Sequence, residues 1–164
     1  MLDLIEEMRL RESPVIDAGI VWYFIRSCEK ESGHPVPLLL VFIGHAILSD
    51  RRLIAHLGAK KTLSSFVREV VKKKEINRLA ALPQSISASM KRTTAALDVL
   101  VGAGLVKWHF KIAALSSTEA AEMPDCGKLK GSMKESCKQA ERLGFVFAKF
   151  GDVASVADEL GVYL

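Results

Sequence analysis

Apolar positions recur at helical spacing through most of this chain, and two short stretches break that rhythm. After Ser13-Pro14, which suits a helix start with Asp17 in its first turn, Ile16, Ile20, Phe24 and Cys28 share a face with Val21 and Ile25 beside it. This predicts a helix over Val15 to Lys30. Ser32-Gly33-His34-Pro35 interrupts it, and Pro37 opens a second element. Leu38 to Leu48 is apolar nearly all round, as expected of a central helix covered by its neighbours, and the pattern continues helically through Asp50 to Leu57. Gly58-Ala-Lys-Lys breaks the chain again. Thr62 is the expected N-cap of a helix over Leu63 to Lys73, with Phe66, Val67, Val70 and Val71 as its apolar stripe. Ile76, Leu79 and Leu82 make a further short turn of helix.

The stretch from Leu82 to Leu115 organises the rest. Ile86, Met90, Ala96, Leu97 and Leu100 predict a helix over Pro83 to Ala103, stopped by Gly102 and Gly104. Val106, Trp108 and Phe110 then alternate with Lys107, His109 and Lys111, the period of a strand, before a short apolar run to Leu115. A helix released through a glycine turn into a strand or hairpin is how a winged-helix domain joins a helix to its wing. The residues from Ser116 to Gly127 read as loop. Lys130 to Leu143 reads as helix with Gly144 as its stop, and Phe145, Phe147 and Phe150 as a short extended or helix-end segment. A small helix from Asp152 ends at Gly161. Residues 1 to 12 form at most an amphipathic turn or two.

The expected fold is therefore mainly α with a small β-hairpin. It is one domain over residues 1–164, with N-terminal helices at 14–57, a winged-helix-like core at 62–115 and a C-terminal helical extension at 128–164. Hydrophobic content of 49% and a positive mean hydropathy exclude a disordered chain. Val36 to Leu48 is too short and too interrupted to cross a bilayer, and the acidic start lacks the basic region of a signal peptide, so a cytoplasmic location is expected.

Charge changes the picture more than composition does. Residues 1 to 50 carry net −4, residues 51 to 111 carry 13 Lys+Arg against 3 Asp+Glu for net +10, and residues 112 to 164 carry net −2. A basic middle between mildly acidic ends fits contact with nucleic acid or an acidic partner. Lys60, Lys61, Arg68, Lys72, Lys73, Lys74, Arg78, Lys91, Arg92, Lys107 and Lys111 are the candidate contacts to DNA phosphates. The Pro83 to Ala103 helix offers few side chains for reading base edges, so sequence-specific recognition is not expected. Lys72-Lys73-Lys74 also suits a solvated helix end, and Trp108 suits wing packing.

The motifs of hydrolases, metalloproteases and nucleotide-binding loops are missing, and Gly127-Lys-Leu-Lys-Gly-Ser132 has the wrong spacing for a phosphate loop. Cys28, Cys126 and Cys137 have no Cys-x-x-Cys spacing, and reduced thiols are expected, with Cys28 packed as a small hydrophobe. His45 and His56, 11 residues apart, would face one way on a continuous helix but lack a third ligand; His45 reads as a core histidine bonded to a carbonyl. No catalytic residue, cofactor or metal is expected.

The order Pro35-Val-Pro-Leu-Leu-Leu-Val-Phe-Ile-Gly-His-Ala-Ile-Leu48, Leu63-Ser-Ser-Phe66, Ala81-Leu-Pro through Leu97 to Gly104-Leu-Val, then Ala140-Glu-Arg-Leu-Gly-Phe-Val-Phe-Ala148 with Leu160-Gly-Val162, resembles the small middle component of three-component ABC-type systems. Lamassu-type anti-phage and anti-plasmid defence belongs to that group. Arg51 and Arg52 match the arginines usual after the apolar helix, whereas the glycine-proline-rich segment before the wing helix is reduced to Leu82-Pro83. The resemblance implies a non-enzymatic adaptor that docks on an SMC-like ATPase and holds an effector, expected to be a nuclease, until foreign DNA is sensed. Phe145, Phe147, Phe150 and Tyr163 are the candidate protein contacts. The alternative is a free-standing winged-helix transcriptional regulator.

Overall fold

The computed structural model describes residues 13–118 and 129–163, which leaves the amphipathic turn read over residues 1 to 12, most of the predicted loop and Cys126 outside the described residues. Helix α1 (Pro14–Ser32) carries proline in its first turn and ends on Gly33 at φ 72°, whose N–H donates to Glu29 O at 2.8 Å. Ala18, Gly19 and Val21 to Ile25 are all buried, more than a single stripe, because α1 lies between other helices. It packs most extensively on α7 (Gly131–Phe150) and next on α6 (Leu82–Gly102).

Strand β1 (Val36–Pro37) pairs antiparallel with β3 (Ala114–Ser117), matching Val36 with Leu115 and Pro37 with Ala114. The segment between the first two helices is thus part of a sheet; two residues are too few to show an alternation. Helix α2 (Leu38–Ser49) follows at once and stops earlier than its pattern implies. Asp50, at φ −91° and ψ 99°, leaves the helical region, and its carboxylate accepts from Arg52 N and Leu53 N at 3.0 Å each to start α3 (Arg51–Ala55). The continuous helix through Leu57 is corrected to two, because a side chain that caps a new N-terminus outweighs the unbroken apolar period.

Helix α4 (Leu63–Lys72) is capped by Thr62, whose hydroxyl accepts from Ser65 N at 3.2 Å. Leu63, Phe66 and Val70 are its buried face, while Val71, assigned to the stripe from sequence, is exposed. The short α5 (Ile76–Ala80) leads into α6. At the end of α6, Gly104 at φ 70° donates to Val101 O, and Leu105 N donates to Leu100 O at 2.9 Å. This paired closure of the last carbonyls turns the chain directly into β2 (Val106–His109).

Strands β2 and β3 form a hairpin in register Trp108 to Leu115, and the sheet order is β1-β3-β2. Between them Phe110–Ile112 forms one 3-10 turn, with Ala113 left-handed at φ 46°. Phe110 does not continue the inward alternation of Val106 and Trp108. It sits at the tip, 85% exposed, because the chain reverses after His109.

Helix α7 runs through Gly144 to Phe150, correcting both the expected stop and the extended reading of the phenylalanines. Gly144 is there for a close crossing. A Cβ built on it would lie 2.6 Å from Phe24 O, and its own carbonyl accepts from Cys28 Sγ at 3.2 Å. The flanking Ser27 Oγ donates to Glu141 O at 2.6 Å. Glycine weakens a helix by about 1 kcal/mol, which is small beside what the two helices gain by contact at this distance. The last helix, α8 (Val153–Glu159), is capped by Asp152 and packs on α4 and α7.

Candidate functional site: a buried polar cluster and an arginine groove

Three helices each contribute one polar side chain to the core. Asp17 of α1, His45 of α2 and Thr93 of α6 are all at most 1% exposed. Thr93 Oγ1 donates to Ser89 O at 3.0 Å, which uses its single proton. His45 Nδ1, 2.8 Å from that same oxygen, therefore donates to it. The ring is oriented with Nε2 3.5 Å from Asp17 Oδ1. His45 is a core histidine, as the sequence implied, but it bonds the Thr93 hydroxyl rather than a carbonyl, and its Nε2 faces the Asp17 carboxylate without a hydrogen bond. The break at Asp50 separates it from His56, which pairs with Glu75 at 3.0 Å.

The fourth member reaches in from the surface. Arg92 Nε and Nη2 donate to the two oxygens of Asp17, Nη2 at 2.7 Å, while the Arg92 side chain stays 42% exposed. Burial alone would raise the Asp17 pKa, but the nearby His45 ring and the doubly bonded Arg92 guanidinium hold it below the usual 3.8. The Thr93 hydroxyl is enclosed and spent on a backbone carbonyl, so the cluster ties α1, α2 and α6 together and does not present a nucleophile to solvent.

Arg92 also lines an open groove of about 540 Å³ between the end of α2, α3, α5 and the first half of α6. It is lined by Arg51, Arg52, Arg78 and Arg92, by the carboxylate of Asp50, and by the small side chains of Ala46, Ser49, Ser85, Ala88 and Ser89. Arg78 Nη1 donates to both oxygens of Asp50, at 3.0 and 2.9 Å, and its Nε pairs with Glu75 at 3.2 Å. Asp50 is partly buried, which would raise its pKa, but bonds from Leu53 N and Arg78 lower it overall.

The predicted DNA-contact residues fall into two sets. Lys60 pairs with Glu69 at 3.6 Å, and Arg78 and Arg92 are held as above. Lys61, Arg68, Lys72, Lys73, Lys74, Lys91, Lys107 and Lys111 are exposed. Arg51 and Arg52 were not among the sequence-predicted contacts, although two consecutive arginines directly after an apolar helix are visible in the chain. Of the predicted protein contacts, Phe147 is in the core, edge-to-face on Phe24 at 5.6 Å, and has no surface to offer. Phe145 and Phe150 are half-buried against the core, and Tyr163 is 84% exposed. No group of three metal-ligating side chains occurs among the described residues, and no described helix is long and apolar enough to cross a membrane.

Fold and surface together define a small, mainly helical protein with a buried polar cluster that ties three helices together and an open groove lined by four arginines. Residues 3–164 match the family described as ABC-three component (ABC-3C) system Middle Component 3, and the chain belongs to that family. No curated protein and no solved structure gave a match.

Proposed function

We propose that this middle component is a non-enzymatic adaptor that links an SMC-like ABC ATPase to an effector, in the manner of Lamassu-type defence against phage or plasmid DNA. The observation that carries the reading is the family match over residues 3–164, since a middle component implies the other components of its system. The geometry supports it: the histidine and threonine hydroxyl that could do chemistry are enclosed and engaged with each other. The core is winged-helix-like in this reading, supported by the sheet order β1-β3-β2 with α1 before β1 and the long α6 before β2. The exposed basic residues contact DNA within the assembled complex, which works in the cytoplasm.

The hairpin tip is the apolar anchor for a partner chain, because Phe110 and Ile112 are 85% and 63% exposed in the turn that joins β2 to β3. Exposed aromatic groups that become buried on association dominate interface energies. Replacing both, Phe110→Ser with Ile112→Ser, is expected to leave the thermal midpoint within a few degrees and to abolish co-purification with the ATPase component. Retention of the ATPase by a folded double variant would remove the tip from the interface.

A further inference from the structure

The groove carries charge that internal pairing does not explain. Arg78 is held by Asp50 and Glu75, and Arg92 by Asp17, whereas the exposed Arg51 and Arg52 make no side-chain hydrogen bond or ion pair among the described residues. Both stand on the one-and-a-half turns of α3, directly after its cap Asp50. The charge of Arg52 helps to hold down the Glu75 pKa, after His56 and Arg78, whereas Arg51 is exposed and serves no contact within the described residues. Apart from Asp50, which Arg78 pairs, the rest of the lining is alanine and serine, small side chains that leave room for a bulky anion beside the guanidiniums. Lys91 follows Ala88 by three positions on α6 and is exposed, a further cation on the helix that lines the groove.

We propose that this groove seats the sugar-phosphate backbone of nucleic acid, with Arg51 and Arg52 as the phosphate contacts and Arg78 and Arg92 as its fixed walls. The inference rests on the reading that the basic middle of the chain meets DNA, and it moves the centre of that contact from the lysines to the groove. A phosphate strand fits better than an acidic protein segment. The carboxylates of Asp50, Glu75 and Asp17 already occupy the two inner guanidiniums, which leaves Arg51 and Arg52 in the groove and Lys91 exposed on α6, separate cations that suit the repeating charges of a phosphate backbone.

The test is fluorescence anisotropy of the full chain with a labelled mixed-sequence duplex DNA, titrated at several salt concentrations. Arg51→Gln with Arg52→Gln is expected to weaken binding about ten-fold and to lower the salt slope by about two, since each phosphate contact contributes roughly 0.9. The triple variant Lys72→Gln, Lys73→Gln, Lys74→Gln should lose less. The arginine variant should melt within a few degrees of the parent, because both side chains are exposed; a clearly lower midpoint would assign the arginines to the fold and overturn the proposal. If the arginine variant binds like the parent while the lysine variant loses binding, the groove is wrong and the DNA reading stands. A parent chain that binds no duplex DNA, either alone or in the assembled complex, overturns both. Capture of a polyglutamate peptide through Arg51 and Arg52, with no DNA binding, would give the groove to an acidic protein instead.

Discussion

Gly144→Leu is expected to lower the stability of this protein by about 3 kcal/mol or more, at or above the upper end of ordinary overpacking. The reason is the identity of the neighbour. A Cβ at this position meets Phe24 O at 2.6 Å, Ser27 Cβ at 3.1 Å and Cys28 N at 3.2 Å, and two of these three are main-chain atoms inside α1. Backbone in the middle of a helix cannot step aside as a side chain can, so α1 and α7 must separate. That separation would take with it the bonds from Cys28 to Gly144 O and from Ser27 to Glu141 O. For a chain of this size the loss corresponds to a fall of roughly 6–12 °C in Tm. Gly102→Ala is the control: it lies in the last turn of α6 with nothing within 4 Å of the added methyl. It is expected to be neutral or to stabilise by up to about 1 kcal/mol. Thermal melts of the two variants check this, and similar midpoints would mean that the α1–α7 crossing is looser than described.

Arg92→Ala is expected to cost about 2–3 kcal/mol, although more than a third of the arginine is exposed. Removing one partner of a buried pair leaves the other charge uncompensated, which costs 3–5 kcal/mol or so when both are enclosed and less when one is solvated. Asp17 is the enclosed partner, and His45 alone remains to face it. The pH dependence follows from the direction of the shift. The Asp17 pKa is lower in the folded protein than the usual 3.8, so the carboxylate contributes stability above that value and loses it as pH falls through the lower, native one. Without Arg92 the native pKa moves back up, and acid unfolding should begin at higher pH. Urea titrations at neutral pH and in acid, on parent and variant, measure both effects; coincident acid limbs would show that Arg92 does not hold the ionised form.

What the sequence revealed and what it hid divide along physical lines. Elements fixed by local chemistry were legible: Pro14, Thr62 and the Gly104 turn each set a helix end through neighbours within a few residues. Gly144 was misread because a glycine that ends a helix and one that lets two helices touch look alike in one dimension. Asp50 was passed over because an apolar period continued across it, and with it went the start of α3 and the groove. Asp17, His45, Thr93 and Arg92 are up to 76 positions apart in numbering, and only packing brings them together. The basic middle was visible as a charge count. Which of its cations are spent on Glu69, Asp50, Glu75 and Asp17 was not, and that distinction turns attention from a lysine surface to Arg51 and Arg52.

An adaptor is defined by what fails to assemble in its absence. Co-expression of the three components, with one affinity tag on the ATPase, followed by size-exclusion chromatography with light scattering, measures this directly. The predicted result is that the effector travels with the ATPase when this chain is present and elutes alone when it is omitted. An effector that binds the ATPase equally well without it, or a middle component that runs only as a free homodimer, would contradict the account.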